Sequence, residues 1–216
     1  FNRMALDMMP GLTKEIEDSD DPLYYAVRLA IAANIIDLGV KGGIGEGEAQ
    51  TAIHNAFSEP FCGDIQGFRD AVLRARSILC LADDAAEIVF DRLLIERLPA
   101  GRVTLAVRGA PVLNDATRED AEQAGLTGLV EIIDNGSDAP GTILADCGED
   151  FRRRFGGADV VIAKGQGNYE TLSGVTDRDI FFLLKVKCPV IGRDIGHAVG
   201  THLCLRAGRP ASQSRY

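Results

Sequence analysis

The sequence predicts an α/β fold: a mostly parallel sheet covered by helices on both faces, with an N-terminal helical part. Three observations carry this. From Ser77 onward, short apolar runs alternate with stretches whose apolar residues recur at helical spacing, the pattern of repeated β-loop-α units. Residues 1–76 lack such runs and read as helices. At 216 residues and 46% hydrophobic content, the chain is long and apolar enough to bury a large core. The boundary between the two regions is placed at residues 76 and 77, giving an N-terminal helical region (1–76) and an α/β domain (77–216).

In chain order, the acidic cluster Glu15 to Asp21 reads as a solvated loop, with Asp21 as a cap and Pro22 in the first turn of the next helix. Leu23 to Leu38 has too few polar residues for a surface helix and reads as a buried one ending before Gly39. Lys41 to Gly47 is a glycine-rich turn; no strand precedes it and P-loop spacing is absent, so it is a weak phosphate loop. Gly67 to Arg76 is an amphipathic helix leading into the central strand, Ser77 to Ala82. A helix from Ala85 to about Leu98 follows, with Ile88, Val89, Leu93, Leu94 and Leu98 on one stripe. Val103 to Val107 and Gly128 to Ile133 read as strands, separated by a helix capped by Thr117 and running to Ala124. The Arg152 to Arg154 triplet reads as a solvated helix face, and Ala158 to Ala163 as a strand. Asp179 to Val186 is expected as a helix, Pro189 to Gly192 as the last short strand, and the remainder as a ragged segment.

Composition narrows the function. A net charge of -9 argues against a nucleic-acid surface, which needs an excess of Lys and Arg. No apolar run approaches membrane-spanning length. The five cysteines (Cys62, Cys80, Cys147, Cys188 and Cys204) are scattered and form no C-x-x-C pair, which fits a reducing cytoplasm rather than a disulfide or zinc scaffold. No signal peptide is visible, and the chain begins at Phe1 without a methionine, so a truncated N-terminus is expected. His54, His197 and His202 all have structural explanations, and no G-x-S-x-G elbow or Cys-His arrangement supports an acyl-transfer hydrolase. No G-x-G-x-x-G opens the first β-α unit, which disfavours a dinucleotide enzyme.

Chemistry concentrates in three loops after strands: Asp83-Asp84, Arg108 to Asp115, and Lys164 to Asn168. In a parallel sheet such loops open on one edge, where ligands bind. Two adjacent carboxylates resist desolvation and repel each other, so they attract a cation; the same pair also suits a helix N-cap and the helix dipole. Asp115 would join them as a third oxygen ligand for a hard divalent ion, while no histidine is near enough for a zinc site. Arg108 and Asn114 lie on the second loop and are candidate phosphate contacts. Lys164, one of only five lysines, precedes Gly165-Gln-Gly167-Asn168 and offers an ammonium with accessible backbone N–H groups; a tight turn with a surface lysine reads equally well.

Read together, Asn34-Ile-Ile-Asp37-Leu-Gly39, LADDAAEIVFD, RGAPVLNDAT, DNGSDAPGT, ADVVIAKGQGNYETL and FFLLKVKCPVI occur in an order that resembles the damage-control phosphatase family, closest to its stand-alone prokaryotic branch. The resemblance spans roughly Asp21 to Gly192, with KGQGNYETL and VLNDAT its most specific segments. It implies a three-layer α/β/α Rossmann-like sheet with a helical addition, and metal-dependent hydrolysis of phosphate esters of small metabolites such as sugar phosphates, nucleotides or phosphopantetheine derivatives. The implied metal ligands are Asp83, Asp84 and Asp115, holding Mg²⁺, Mn²⁺, Co²⁺ or Ni²⁺. Lys164 and Asn168 match residues expected on the phosphate, with Asn34 and Asp37 near the same cleft and the backbone of Gly165 and Gly167 beside it. The N-terminal helical region reads shorter than the family's. Two departures stand out: the family's Asp-Asn-x-Gly-Glu reads Asp83-Asp84-Ala85-Ala86-Glu87, and its Gly-Asn reads Ala33-Asn34. The extra charge at Asp84 and the Cβ at Ala86 leave room for an alternative, a catalytically weak nucleotide- or metabolite-binding module of the same fold. The partner expected is a small phosphorylated metabolite, with no nucleic acid and no membrane; the residues specify no oligomeric state.

Overall fold

A computed structural model describes residues 2–33, 51 and 53–207. Asn34, Asp37 and the Lys41 to Gly47 turn lie outside the described residues. The elements are α1 (Asn2–Asp18), α2 (Pro22–Ala32), β1 (Phe61–Gly63), α3 (Ile65–Arg74), β2 (Ile78–Leu81), α4 (Ile88–Ile95), β3 (Val103–Val107) and α5 (Arg118–Gln123). They continue with β4 (Glu131–Asp134), α6 (Glu149–Gly157), β5 (Val160–Lys164), α7 (Gly165–Leu172), β6 (Ile180–Lys185), α8 (Pro189–Ile195) and β7 (His202–Arg206).

The seven strands among the described residues form one sheet in the order β1-β7-β6-β5-β2-β3-β4. Five of them, β6-β5-β2-β3-β4, are parallel; β7 runs antiparallel to β6, and β1 follows β7. Chain order leaves β2 toward β3 and β4, then returns to its other side as β5. β2 and β5 therefore flank the topological switch point, where open sheets of this kind place ligands. The α/β class and mostly parallel sheet are as the alternating pattern predicts.

Apolar residues at β2, β3, β5 and β6 are buried on both faces, which explains why these strands read as continuous apolar runs. One core lies between the sheet and α1, α2 and α4, and includes Leu12, Val27, Phe68, Ile88, Leu93, Ile162 and Phe181. The second covers the opposite face, with Leu79, Phe151, Phe155, Ala163, Phe182 and Leu203. Among the described residues no helix is long and apolar enough to cross a membrane.

Several expected elements change. The 179–186 run is β6, not a helix: five buried residues, Ile180 to Leu184, sit between β5 and β7, and an apolar run this short fits either state by pattern alone. Pro189 does not open a strand but sits in the first turn of α8, which ends at Gly196 with φ +81°. The ragged C-terminal segment contains β7. Residues before 77 contribute a strand, β1, as well as helices. The acidic cluster is not all loop, because α1 runs through Asp18; Asp21 does cap α2, accepting from Tyr24 N at 3.0 Å, and is also held by Arg69. The helix after β2 begins only at Ile88, leaving Asp83 to Glu87 as a turn. Thr117 caps α5 as expected; Asp120 accepts from both its backbone N–H and its hydroxyl.

Where β1, β6 and β7 meet, a polar cluster ties the helical part to the sheet. Arg28 on α2 donates to the carbonyls of Ala56, Phe57 and Glu59 and is stacked among Tyr24, Phe57 and Phe61. Glu59 in turn meets Lys185 and His202, each at 2.7 Å. Burial, then the neighbouring charge of Arg28, lowers the His202 pKa to about 4, against the opposing pull of Glu59. His202 is thus folded as the neutral ring, whereas the unfolded chain takes up a proton below its ordinary value of 6.5. Stability is full above pH 6.5 and falls as pH drops toward 4, by up to about 3 kcal/mol. Urea denaturation of the parent and a His202→Gln variant between pH 4.5 and 7 is expected to show a shallower acid slope in the variant.

Candidate metal and phosphate site

The site begins where β2 ends. Asp83 and Asp84 leave the buried strand and are themselves buried, at 6% and 7% exposure. Three carboxylate oxygens, one each from Asp83, Asp84 and Glu87, lie within 4.8 Å of one another. Burial raises the Asp83 pKa well above the carboxylate range, and the charges of Glu87, Asp84 and Asp115 push it the same way, with Lys187 the one opposing influence. A crowded, buried set of hard oxygen donors is the donor chemistry that Mg²⁺ or Mn²⁺ takes, so the residues fit a divalent ion.

The neighbouring loop is sewn onto this turn. Ala116 N donates to Asp83 O at 2.7 Å, Ala85 N donates to Asn114 O at 2.8 Å, and Asp84 and Asp115 form an isolated backbone bridge. Asp115 is thereby brought beside the pair, but its carboxylate is held by the buried Arg108, whose Nε donates to Oδ2 at 2.6 Å. Glu87, which sequence reasoning left out, joins the tight trio instead. Its signal was its place as the residue just before α4, hidden by the expectation that the helix had already begun.

From β5 come Lys164 and Gly165. Lys164 does not face a solvent-open phosphate cleft, as expected, but is fully buried with its ammonium on Asp91 of α4 and on Glu87, the latter at 3.3 Å. The reason is register: Lys164 is the last residue of a strand buried on both faces, so its side chain is directed against α4. Burial disfavours its charge, but Asp91 and Glu87 outweigh that and hold the ammonium protonated. Burial conversely lifts Asp91 to about 6 despite Lys164. Asn168 is likewise not open to a ligand: its amide donates to Ala82 O and Lys164 O, and its Oδ1 accepts from Thr142. It pins together the ends of β2 and β5 and the loop after β4.

Gly165 has φ +74°, and a Cβ there would fall 1.6 Å from Asp83 Oδ2. This glycine is what lets the start of α7 lie against the carboxylate. Gly167 is close behind, its added Cβ 3.8 Å from Asp83 Oδ1. Arg108 donates to Asp115 and, at 3.4 Å, to Thr142, while its buried Nη2 has no protein partner. Lys187, after β6, reaches within 3.8 Å of Asp84 Oδ2 and is partly exposed. It is the cation that sequence reasoning missed; the misassigned β6 hid its place at a strand end on this edge. Ala86 has no left-handed backbone, so the Cβ that departs from the family's glycine causes no strain there.

Residues 1–203 match the family described as the damage-control phosphatase ARMT1-like domain. A damage-control phosphatase of Pyrococcus horikoshii is 38% identical over 185 residues, covering 84% of this chain and 64% of the relative. A damage-control phosphatase of Archaeoglobus fulgidus is 35% identical, covering 92% of this chain and 70% of the relative. An uncharacterized protein of Methanocaldococcus jannaschii is 34% identical, covering 95% and 70%. The crystal structure of a DUF89-family protein from Pyrococcus horikoshii superposes with a TM-score of 0.80 at 34% identity, covering 96% of this chain and 74% of the other. The chain therefore spans about two thirds of the length of these curated relatives. A parallel sheet with carboxylates gathered at its switch point, and a match along nearly all of its residues, place the chain in the damage-control phosphatase ARMT1-like domain family.

Proposed function

We propose that the protein is a metal-dependent phosphatase that hydrolyses phosphate monoesters of small metabolites: sugar phosphates, nucleotides or phosphopantetheine-like compounds. The observation that carries this reading is the set of buried, mutually repelling carboxylates around Asp83. Asp83 and Asp84 would hold a divalent ion, Mg²⁺, Mn²⁺, Co²⁺ or Ni²⁺, with Glu87 as the third carboxylate and Asp115, held by Arg108, beside them. Glu87 is partly neutralised by Lys164. The ion, when bound, supplies Lewis-acid polarisation of a phosphoryl oxygen. Lys187 takes the role expected of Lys164: an accessible ammonium that balances the charge of Asp84 and can meet an anion. The absence of a side chain at Gly165 lets the start of α7 lie directly against Asp83 and hold its carboxylate in place. The guanidinium of Arg108 orients Asp115. Lys164 acts behind the site, holding Glu87 and Asp91 in place.

The reading is tested by p-nitrophenyl phosphate turnover with each of the four metals. Activity with any of them supports a phosphatase. Tight metal and phosphate binding without turnover favours the second reading, a catalytically weak nucleotide- or metabolite-binding module, to which the additional charge of Asp84 lends support. Asp83→Asn is expected to lower Mn²⁺ affinity, measured calorimetrically, by at least tenfold and to abolish turnover. Asp115→Asn is preferable to alanine at the other position, because an amide oxygen keeps a partner for the buried Arg108.

A further inference from the structure

The loop 109–115 ends in a turn in which Asp115 N donates to Val112 O at 3.0 Å. Its first central residue, Leu113, has φ 49°, the only left-handed non-glycine backbone among the described residues. Glycine is the usual occupant of such a position, and a leucine there is strained by its Cβ. The side chain recovers none of this by burial, since it is 85% exposed. Asn114, the next residue, is of a type that tolerates left-handed backbone better, yet the strain falls on the leucine. Neither secondary structure nor core packing accounts for a strained, exposed leucine at this tip. Strain of this kind collects at ligand-binding positions.

Its position is specific. The residues that follow it are bonded through the backbone to Asp83, Asp84 and Ala85, so the tip is fixed to the segment that carries the carboxylates. We propose that Leu113 is a specificity-determining residue, an apolar lip that contacts the alcohol portion of the substrate and selects phosphate monoesters whose group next to the phosphate is aromatic or otherwise apolar. The proposal rests on the phosphatase reading for its substrate class. The charged groups of the site serve the phosphoryl end, and Leu113 is the large, exposed apolar side chain on the loop that is joined to them.

The test uses two non-hydrolysable probes, phenylphosphonate and methylphosphonate, titrated calorimetrically against the full chain with Mn²⁺. The parent is expected to bind phenylphosphonate at least fivefold more tightly. Leu113→Asn and Leu113→Gly are expected to erase that preference, leave methylphosphonate affinity unchanged, and melt at the same or a higher temperature. A preference that survives in both variants, equal weakening of both probes, or no binding of either probe by the parent would overturn the proposal. So would a change confined to association state in sedimentation velocity, which would make Leu113 a contact between copies. If the parent shows the phosphonate preference and loses it on substitution but turns over no phosphate ester, the lip stands and the phosphatase reading fails.

Discussion

Replacing Gly165 by alanine is expected to cost the protein its turnover almost entirely, by about 100-fold or more. Two effects act together. The backbone at φ +74° disfavours any side chain, at a cost of about 1 kcal/mol. The new Cβ would also fall 1.6 Å from Asp83 Oδ2 and 2.1 Å from its Cγ, far inside van der Waals contact. Asp83 is buried and cannot swing into solvent without leaving its neighbours, so either α7 or the carboxylate must move. Metal affinity should fall with turnover, while far-ultraviolet circular dichroism stays near that of the parent. Gly174→Ala is the control: nothing lies within 4 Å of a Cβ at that position, and its activity should be unchanged. Parent-like activity in Gly165→Ala would show that the close approach to Asp83 is not needed.

The second large effect is expected on stability. Lys164→Met removes the only positive charge paired with Asp91 among the described residues, and with it one from Glu87. Both acids are buried, and breaking a buried pair by deleting one partner typically costs about 3–5 kcal/mol. Urea denaturation should report a loss of that size. Adding Asp91→Asn to the same chain should restore part of it, because the acid that has been stranded is then neutral. If the single variant unfolds at the parental midpoint, the ammonium is not held as the geometry describes. Turnover measured on Asp91→Asn alone separates the two roles: a lysine acting from behind the carboxylates should leave the apparent KM for p-nitrophenyl phosphate nearly unaltered.

Much of this fold was legible because the chemistry of burial is written in runs. Ile78 to Leu81, Leu105 to Val107 and Val160 to Ala163 are apolar without interruption, and each belongs to a strand covered on both faces. The Phe181 to Leu184 run is just as apolar, and pattern alone could not tell strand from helix; the pairing with β5 decides it. The error then spread, because a helix at 179–186 leaves Lys187 on no recognisable edge. Residue types pointed to Asp83, Asp84 and Asp115 as neighbours, and the backbone bridge brings the last two together. What residue types could not convey was direction. Lys164 and Asn168 sit beside the site in sequence, yet one strand residue of phase sends the lysine to α4, and three hydrogen bonds occupy the asparagine. Leu113 was invisible for a related reason: handedness of a single peptide unit leaves no trace in composition.

The placement of β2 between β3 and β5 bears on how the protein is made. β3 follows β2 closely, but the register that sets Leu81 opposite Ala163 awaits a strand that begins only at Val160. During synthesis the acids after β2 therefore emerge long before the glycine turn that must settle against them. Until that later strand slots in, the nascent chain carries its anionic residues on an open sheet margin, and the arrangement that could hold an ion is assembled only once Gly165 has emerged.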